Sequence, residues 1–322
     1  MSLAIGLDVG GSNLRAGALR DGDDAVVERH RELIGDEREP GALVERVAGV
    51  IERLAGAEPG PIAVGVGVAA MLRGADGTVA RSPHLRWRDV PFGRLLRARL
   101  GARFAVGVYN DVNAVTWGEV VAGAARGCRD VLAVYVGTGI GGGVIADGRL
   151  LDGASSCAGE IGHVKVRWDD EAAACQCGGR GCAEAYVGGS YVEARIRREL
   201  ADPRTRSSAV ELAGGAEHVT VAHVDQAAAD GDAWALGLWS ELAPLLAVPL
   251  ANALAVLNSE RLVLGGGVLA RTPALVSLVE VALTIAAPPP ILEPLTVAMA
   301  ELGDDAGVLG AARLAAAGVA VA

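Results

Sequence analysis

The run Glu160-Ile161-Gly162-His163, followed by Cys175-Gln176-Cys177-Gly178-Gly179-Arg180-Gly181-Cys182-Ala183-Glu184, carries the most specific chemistry in this 322-residue chain. One histidine and three cysteines, His163, Cys175, Cys177 and Cys182, make a closed tetrahedral zinc set with no open coordination position. The metal would therefore be structural, fixing a glycine-rich loop that cannot build its own core. The five cysteines are an odd number, and no secretory signal opens the chain. Clustered cysteines in that context suggest a metal before a disulfide, and a reducing cytoplasm. Cys128 and Cys157 fall outside the spacing and are expected to be small buried hydrophobes.

Two glycine turns suit a phosphate. In Asp8-Val9-Gly10-Gly11-Ser12-Asn13-Leu14-Arg15, glycines let backbone N–H groups approach an anion, and Asp8 can hold Mg²⁺ through water. A hairpin turn with a local side-chain hydrogen bond is the plainer reading. Gly137-Thr138-Gly139-Ile140-Gly141-Gly142-Gly143 formally contains the dinucleotide fingerprint, which requires a following helix. Here Val144 to Leu151 reads as a strand with Asp147-Gly148 at its turn, so a second phosphate hairpin fits better. Lys165 is the one lysine of the chain, so no P-loop lysine exists. Any phosphate is left to backbone amides, arginine or a metal. Gly265-Gly266-Gly267 ends a strand and would admit a flat or anionic ligand, or simply make a tight turn. Asn110-Asp111-Val112-Asn113 stands between a strand and a helix. Asp111 reads either as a helix cap or as a general base for an attacking hydroxyl, with Asn110 binding a polyol beside it.

The elements that must position these residues read as two α/β units. In the first, strands are expected at Leu3–Asp8, Leu14–Leu19, Ala25–Leu33, Pro61–Ala69 and Arg103–Val108, with a turn around Asp21-Gly22-Asp23. Helices are expected at Ala42–Leu54 and Phe92–Leu100. The second repeats the grammar with strands at Asp130–Val136, Val144–Leu151, Arg261–Leu264 and Leu295–Ala300. Its helices are expected at Gly188–Leu200, Thr220–Leu257 and Gly307–Ala317, with Asp202–Ala216 as a surface connection. Two units that each begin strand, glycine turn, strand suggest a duplicated fold with a cleft between its halves.

Composition bounds the partners. Glycine supplies 45 residues, hydrophobic types 51% and aromatics only 3%, with a net charge of −10. Disorder needs low hydrophobicity and collagen a three-residue glycine period, and neither is present. The acidic balance argues against a broad nucleic-acid surface. The longest uncharged stretch, between Glu241 and Glu260, contains Pro244, Pro249, Asn252 and Asn258. It is expected to be a buried helix and not a membrane span.

Together these motifs resemble the ROK family of bacterial sugar kinases, from about Leu3 to about Ala317. The resemblance implies the two-domain sugar kinase/actin/heat-shock ATPase (ribonuclease H-like) α/β fold. Residues 1–112 plus 304–322 would form a small domain and 113–303 a larger one. It implies ATP, Mg²⁺ and structural Zn²⁺. Asp8, Gly10, Gly11, Ser12, Asn13, Thr138 and Gly139 would hold phosphates and magnesium, and Gly265, Gly266 and Gly267 would lie by the adenosine. Asp111 would be the base on a hexose 6-hydroxyl. Asn110, Glu160, His163 and Glu184 would bind the other hydroxyls. His163 can also hold zinc because an imidazole has two nitrogens. The implied protein is a cytoplasmic homodimer or homotetramer acting on a small sugar, with neither nucleic acid nor membrane as partner. Repressors of the family carry a helix-turn-helix ahead of the first motif, and none is expected here.

Two positions depart from the family pattern. Ala69-Ala70-Met71 replaces a usual Pro-Gly turn, and His84 replaces a usual Asn in Ser82-Pro83-His84-Leu85. Both fall where the family shapes its sugar pocket. The resulting expectation is a glucose-type 6-kinase. The alternatives are a 6-kinase for an amino sugar (3-amino-3-deoxyglucose, N-acetylglucosamine or N-acetylmannosamine) and a non-catalytic sugar-responsive regulator.

Overall fold

The computed structural model describes residues 2–20, 25–74 and 76–318. The turn expected at Asp21-Gly22-Asp23 lies outside the described residues. Strands β1 (Leu3–Val9), β2 (Asn13–Arg20), β3 (Glu28–Leu33) and β4 (Ile62–Val68) are followed by β5 (Met71–Arg73), β6 (Thr78–Ser82), β7 (Trp87–Val90) and β8 (Phe104–Asn110). Five of them make one sheet in the order β3-β2-β1-β4-β8, and β5-β6-β7 make a small one. β1, β4 and β8 run parallel. β1 and β4 are near-continuous apolar runs, as central strands covered on both faces must be.

A row of glycines crosses this sheet. Gly17 pairs with Gly6, Gly6 with Gly65, and Gly65 with Gly107. A Cβ at Gly6 would strike the Val308 carbonyl, and one at Gly65 the Ala311 carbonyl. Gly6 and Gly65 therefore let the helix Ala306–Ala316 lay its backbone directly on the strands. The same helix presents Gly310 to the Ala114 carbonyl of the helix Asp111–Ala122. Part of the glycine excess is thus a packing device, independent of any ligand.

The later strands are β9 (Val131–Val136), β10 (Ile140–Ala146), β11 (Arg149–Leu150), β12 (Arg261–Gly265) and β13 (Thr296–Met299). Their sheet has the order β11-β10-β9-β12-β13, with β12 parallel to both β9 and β13. β10 begins at Ile140, so residues 140–143 are strand where the sequence suggests a longer glycine turn. The segment 202–216 also contains a short helix, Ser208–Ala213. One described helix, Ala233–Leu257, is long and apolar enough to cross a membrane by length and composition. Its Leu238, Trp239, Leu242, Leu246, Leu250 and Leu254 are buried. It packs against the helices Pro273–Ala286 and Val221–Ala229.

The chain divides into two compact units: residues 1–129, 143–159 and 300–322, and residues 130–142 and 160–299. This differs from the expected boundary at 112/113, because the helix Asp111–Ala122 goes with the first unit. The reason is its packing on Ala306–Ala316 and one buried carboxylate. Glu119, 1% exposed, accepts from the amides of Ala124 (2.8 Å), Leu302 (3.0 Å) and Glu301 (3.1 Å). Glu119→Ala would leave these donors buried without the charged acceptor, and a hydrogen bond to a charged group is worth about 1.5–3 kcal/mol. Equilibrium denaturation should show a loss of roughly 3 kcal/mol or more by the same principle. A change near zero would show that the carboxylate does not tie these segments together.

Candidate active site and metal centre

In the first unit, the candidate residues gather at the carboxyl ends of parallel strands, where α/β sheets place their ligands. Val9 pairs with Val68, and Val68 with Asn110, so β1, β4 and β8 end side by side. The next residues along the chain are Gly10 after β1, Ala69 after β4 and Asp111 after β8. The Ala69 amide donates to the Val9 carbonyl (3.1 Å), and Asn110 Nδ2 donates to the Ala70 carbonyl (3.2 Å). Asn110 Oδ1 accepts from the Asn113 amide (3.0 Å). The cap of the helix Asp111–Ala122 is therefore Asn110, and Asp111 is its first residue.

The Gly10-Gly11-Ser12-Asn13 hairpin spends the Gly10 amide on the Asn13 carbonyl (3.0 Å). An anion would be met by the Gly11 and Ser12 amides. Asp8 sits at the base of this turn, paired with Arg15 (3.1 Å), which also reaches Asp304 (2.9 Å). Burial raises the Asp8 carboxyl above its usual range, against the pull of Arg15, and the Asp304 charge adds to the rise.

His84 is exposed, with its side chain against Gly11. A Cβ on Gly11 would meet the His84 Cβ at 2.9 Å. The buried Ser82 hydroxyl donates to the Ala69 carbonyl (2.7 Å) and accepts from the Leu85 amide (3.2 Å). The two departures noted in the sequence are thus joined through one side chain.

In the second unit, Gly137 follows β9 and Gly266 follows β12, and these strands are parallel neighbours. The Gly137–Gly139 turn and the Gly265-Gly266-Gly267 element therefore lie side by side. Gly266 has φ +89°, and a Cβ there would strike the Val136 backbone. The Gly137 amide bonds the Gly139 carbonyl (2.9 Å). The Ile140 amide donates to Glu184 Oε2 (2.8 Å), which lies where a side chain at Gly139 would be.

Glu184 opens a short helix immediately after the cysteine loop. Its other oxygen is 3.7 Å from Cys175 Sγ. His163 closes a tight turn, Ile161–His163, whose Gly162 is pressed against Ile140. His163 Nδ1 faces Cys175 Sγ at 3.8 Å, and Nε2 lies 3.6 Å from Glu160 Oε2. Burial raises the Glu160 carboxyl; His163 opposes the rise, and the neighbouring Glu184 adds to it.

The cysteine set fits zinc. One ligand atom from each of His163, Cys175, Cys177 and Cys182 lies within 4.8 Å of the others. Cys177 Sγ and Cys182 Sγ are 3.7 Å apart. A tetrahedron with Zn–S bonds of about 2.3 Å has edges of roughly 3.8 Å. Cys175 and Cys182 are buried, and the loop's own amides are taken by two tyrosine hydroxyls: Ala173 by Tyr186 (2.8 Å) and Gln176 by Tyr191 (3.0 Å). Burial pushes the Cys175 thiol up to about 12, while the Gly179 amide lowers Cys177. Metal binding would therefore release a proton from Cys175. Cys128 and Cys157 stand apart and are partly exposed, not buried as expected.

The ROK family profile matches residues 4–317. The chain belongs to the ROK family. It is 31% identical over 312 residues to the glucokinase of Thermotoga maritima, covering 96% of each chain. It is 32% identical over 271 residues to the glucokinase of Streptomyces coelicolor, covering 83% of this chain and 82% of that one. The crystal structure of a ROK family glucokinase from Streptomyces griseus in complex with glucose and AMPPNP superposes with a TM-score of 0.79. The identity there is 28%, over 98% of this chain and 100% of that one. The fold is that of the two-domain ROK sugar kinases.

Three partners within this ROK chain escape sequence reasoning. Arg15 holds Asp8. Asp152, whose carboxyl is raised by burial, accepts from Asn113 Nδ2 (3.3 Å). Lys165 donates to Cys182 Sγ (2.9 Å). Only Lys165 leaves a signal, as a solitary lysine two residues after His163. Arg15 also gives a pH test. If Asp8 must be ionised to hold magnesium, Arg15→Met removes the charge that favours ionisation. The acid limb of kcat/KM for phosphoryl transfer should move to higher pH. An unmoved limb would show that Asp8 ionisation does not govern activity.

Proposed function

We propose that this chain is an ATP-dependent hexose 6-kinase acting on glucose or a close relative. The observation that carries the reading is Asp111. It stands at the end of β8 in a chain matched to the family almost end to end, and the helix it begins is capped by Asn110 instead. Asp111 accepts the proton of the sugar 6-hydroxyl as that oxygen attacks the γ-phosphorus. The new O–P bond forms as the bond to the β–γ bridging oxygen breaks, and ADP leaves. Asn110, Glu160, His163 and Glu184 fix the remaining hydroxyls. The Gly11, Ser12, Thr138 and Gly139 amides hold phosphate oxygens, with Gly265, Gly266 and Gly267 beside the nucleoside. Asp8 would hold magnesium, which would supply positive charge to offset that of the phosphates. His163, Cys175, Cys177 and Cys182 would hold zinc, which would fix the cysteine loop. A metal on His163 Nδ1 would set the ring's tautomer and leave Nε2 for a hydroxyl.

A second reading, an amino-sugar 6-kinase, is favoured by His84 and Ala69-Ala70-Met71. These two changes share the Ser82 bridge and border the Gly10–Asn13 hairpin. A coupled phosphorylation screen over glucose, mannose, 3-amino-3-deoxyglucose and N-acetylated hexosamines separates the two readings by kcat/KM. Sugar binding without any product from ATP would instead support a regulator. The family resemblance further supports a cytoplasmic homodimer or homotetramer, which light scattering would measure.

Asp111→Asn should keep the fold and sugar affinity while losing turnover by about 10²–10⁴-fold, the usual contribution of a general base. Turnover within a few-fold of the parent would remove Asp111 from the role.

A further inference from the structure

Of the 29 lysine and arginine side chains only one is lysine, and it lies on the cysteine cluster. Its place is set by the backbone. Lys165 and Cys182 are partners in an antiparallel bridge. It is flanked by Ala183 N–H to Val164 O (2.9 Å) and Val166 N–H to Gly181 O (2.8 Å). Directly opposed residues project to the same face, and Lys165 Nζ reaches Cys182 Sγ at 2.9 Å. Cys182 is fully buried. Across from the ammonium stands Gly179, where a Cβ would sit 2.8 Å from Nζ. The loop thus leaves room for a compact charged head directly on a metal-ligand sulfur.

The charge count explains the arrangement. Zinc with three thiolates and a neutral imidazole carries a net charge of −1. A hydrogen-bonded cation brings the assembly to neutrality and withdraws charge from one sulfur. An ammonium is a compact point charge with three rotatable donors, whereas guanidinium is a wide planar fork.

Resting on the zinc reading above, we propose that Lys165 is a positioning residue of the metal centre. Its ammonium donates to the Cys182 thiolate, offsets the excess negative charge and retards loss of the metal. Groups that orient metal ligands from outside typically contribute 10–100-fold to metal affinity.

The test uses the full-length protein loaded with zinc, or with cobalt as a spectroscopic substitute. Zinc affinity is read by competition with a chromogenic chelator, and the thiolate-to-cobalt charge-transfer band by absorbance. Lys165→Met should weaken zinc by about 10–100-fold and move the band to lower energy, because one sulfur loses its donor. Arg180→Met removes an equal charge from the same loop without touching a sulfur, and should leave both readouts near the parent's. Circular dichroism of each variant checks folding, and Lys165→Gln serves as a second variant if Lys165→Met misfolds. Parent-like affinity and an unmoved band in Lys165→Met would overturn the role while leaving the metal centre standing. A similar loss in Arg180→Met would reduce it to general electrostatics and overturn it too. A parent protein that binds neither metal would overturn the centre itself, and the role with it.

Discussion

The second unit hangs on the hydrogen bond from the Ile140 amide to Glu184. It joins the turn after β9 to the first residue beyond the cysteine loop. The bond is possible only because Gly139 has no side chain, since Glu184 Oε2 lies where that side chain would be. Once Ile140 is fixed, Gly162 can press against it, and that contact places the turn ending in His163. The other Glu184 oxygen lies beside Cys175. A phosphate-type turn, a histidine and a metal-type loop, drawn from separate stretches of chain, are thereby held in one arrangement. Glu184 is partly buried, and the glycine turn supplies an N–H to one of its oxygens.

Glycine has two distinct physical roles here. At Gly6 and Gly65 in the strands, and at Gly310 in the helix, it removes Cβ atoms so that a helix backbone can touch strands and another helix. In the turns at Gly10–Asn13 and Gly137–Gly139 it shapes the backbone, and there the hairpins are alike. Each commits its first glycine amide to its own turn, at the Asn13 and Gly139 carbonyls. A composition rich in glycine and poor in aromatic rings thus yields close backbone packing in the cores and donor-rich loops at the strand ends.

The range of each interaction decides how legible it is in the sequence. The zinc-type set can be read because its spacing is local and its residue types are rare. The central strands can be read because their apolar runs are continuous, and the glycine turns because they break those runs. Several features that escape a sequence reading depend on partners far along the chain. β10 starts earlier than its local pattern predicts because the residue that holds the Ile140 amide is Glu184, which nothing nearby indicates. The unit boundary departs from 112/113 because Glu119 reaches amides at 301 and 302. In the sequence Asp111 reads either as a cap or as a general base, and in the structure Asn110 beside it does the capping. The pairings of Arg15 with Asp8 and of Asp152 with Asn113 leave no trace in composition or period.

The two departures from the family pattern take on one meaning in the structure. Along the chain, Ala69-Ala70-Met71 and His84 are separate substitutions. In the fold, the Ser82 hydroxyl is bonded to Ala69 and to the amide of Leu85, next to His84. Asn110 binds the Ala70 carbonyl and also caps the helix that begins at Asp111. A shift of the Ala69–Met71 turn would therefore be felt at the His84 loop on one side and at Asn110 and Asp111 on the other. Coupling of this kind makes substitutions non-additive. Exchanging His84 alone for the family's usual Asn would leave the loop seated on a turn shaped for a different residue. The structural effect of either departure therefore belongs to the turn and the loop together.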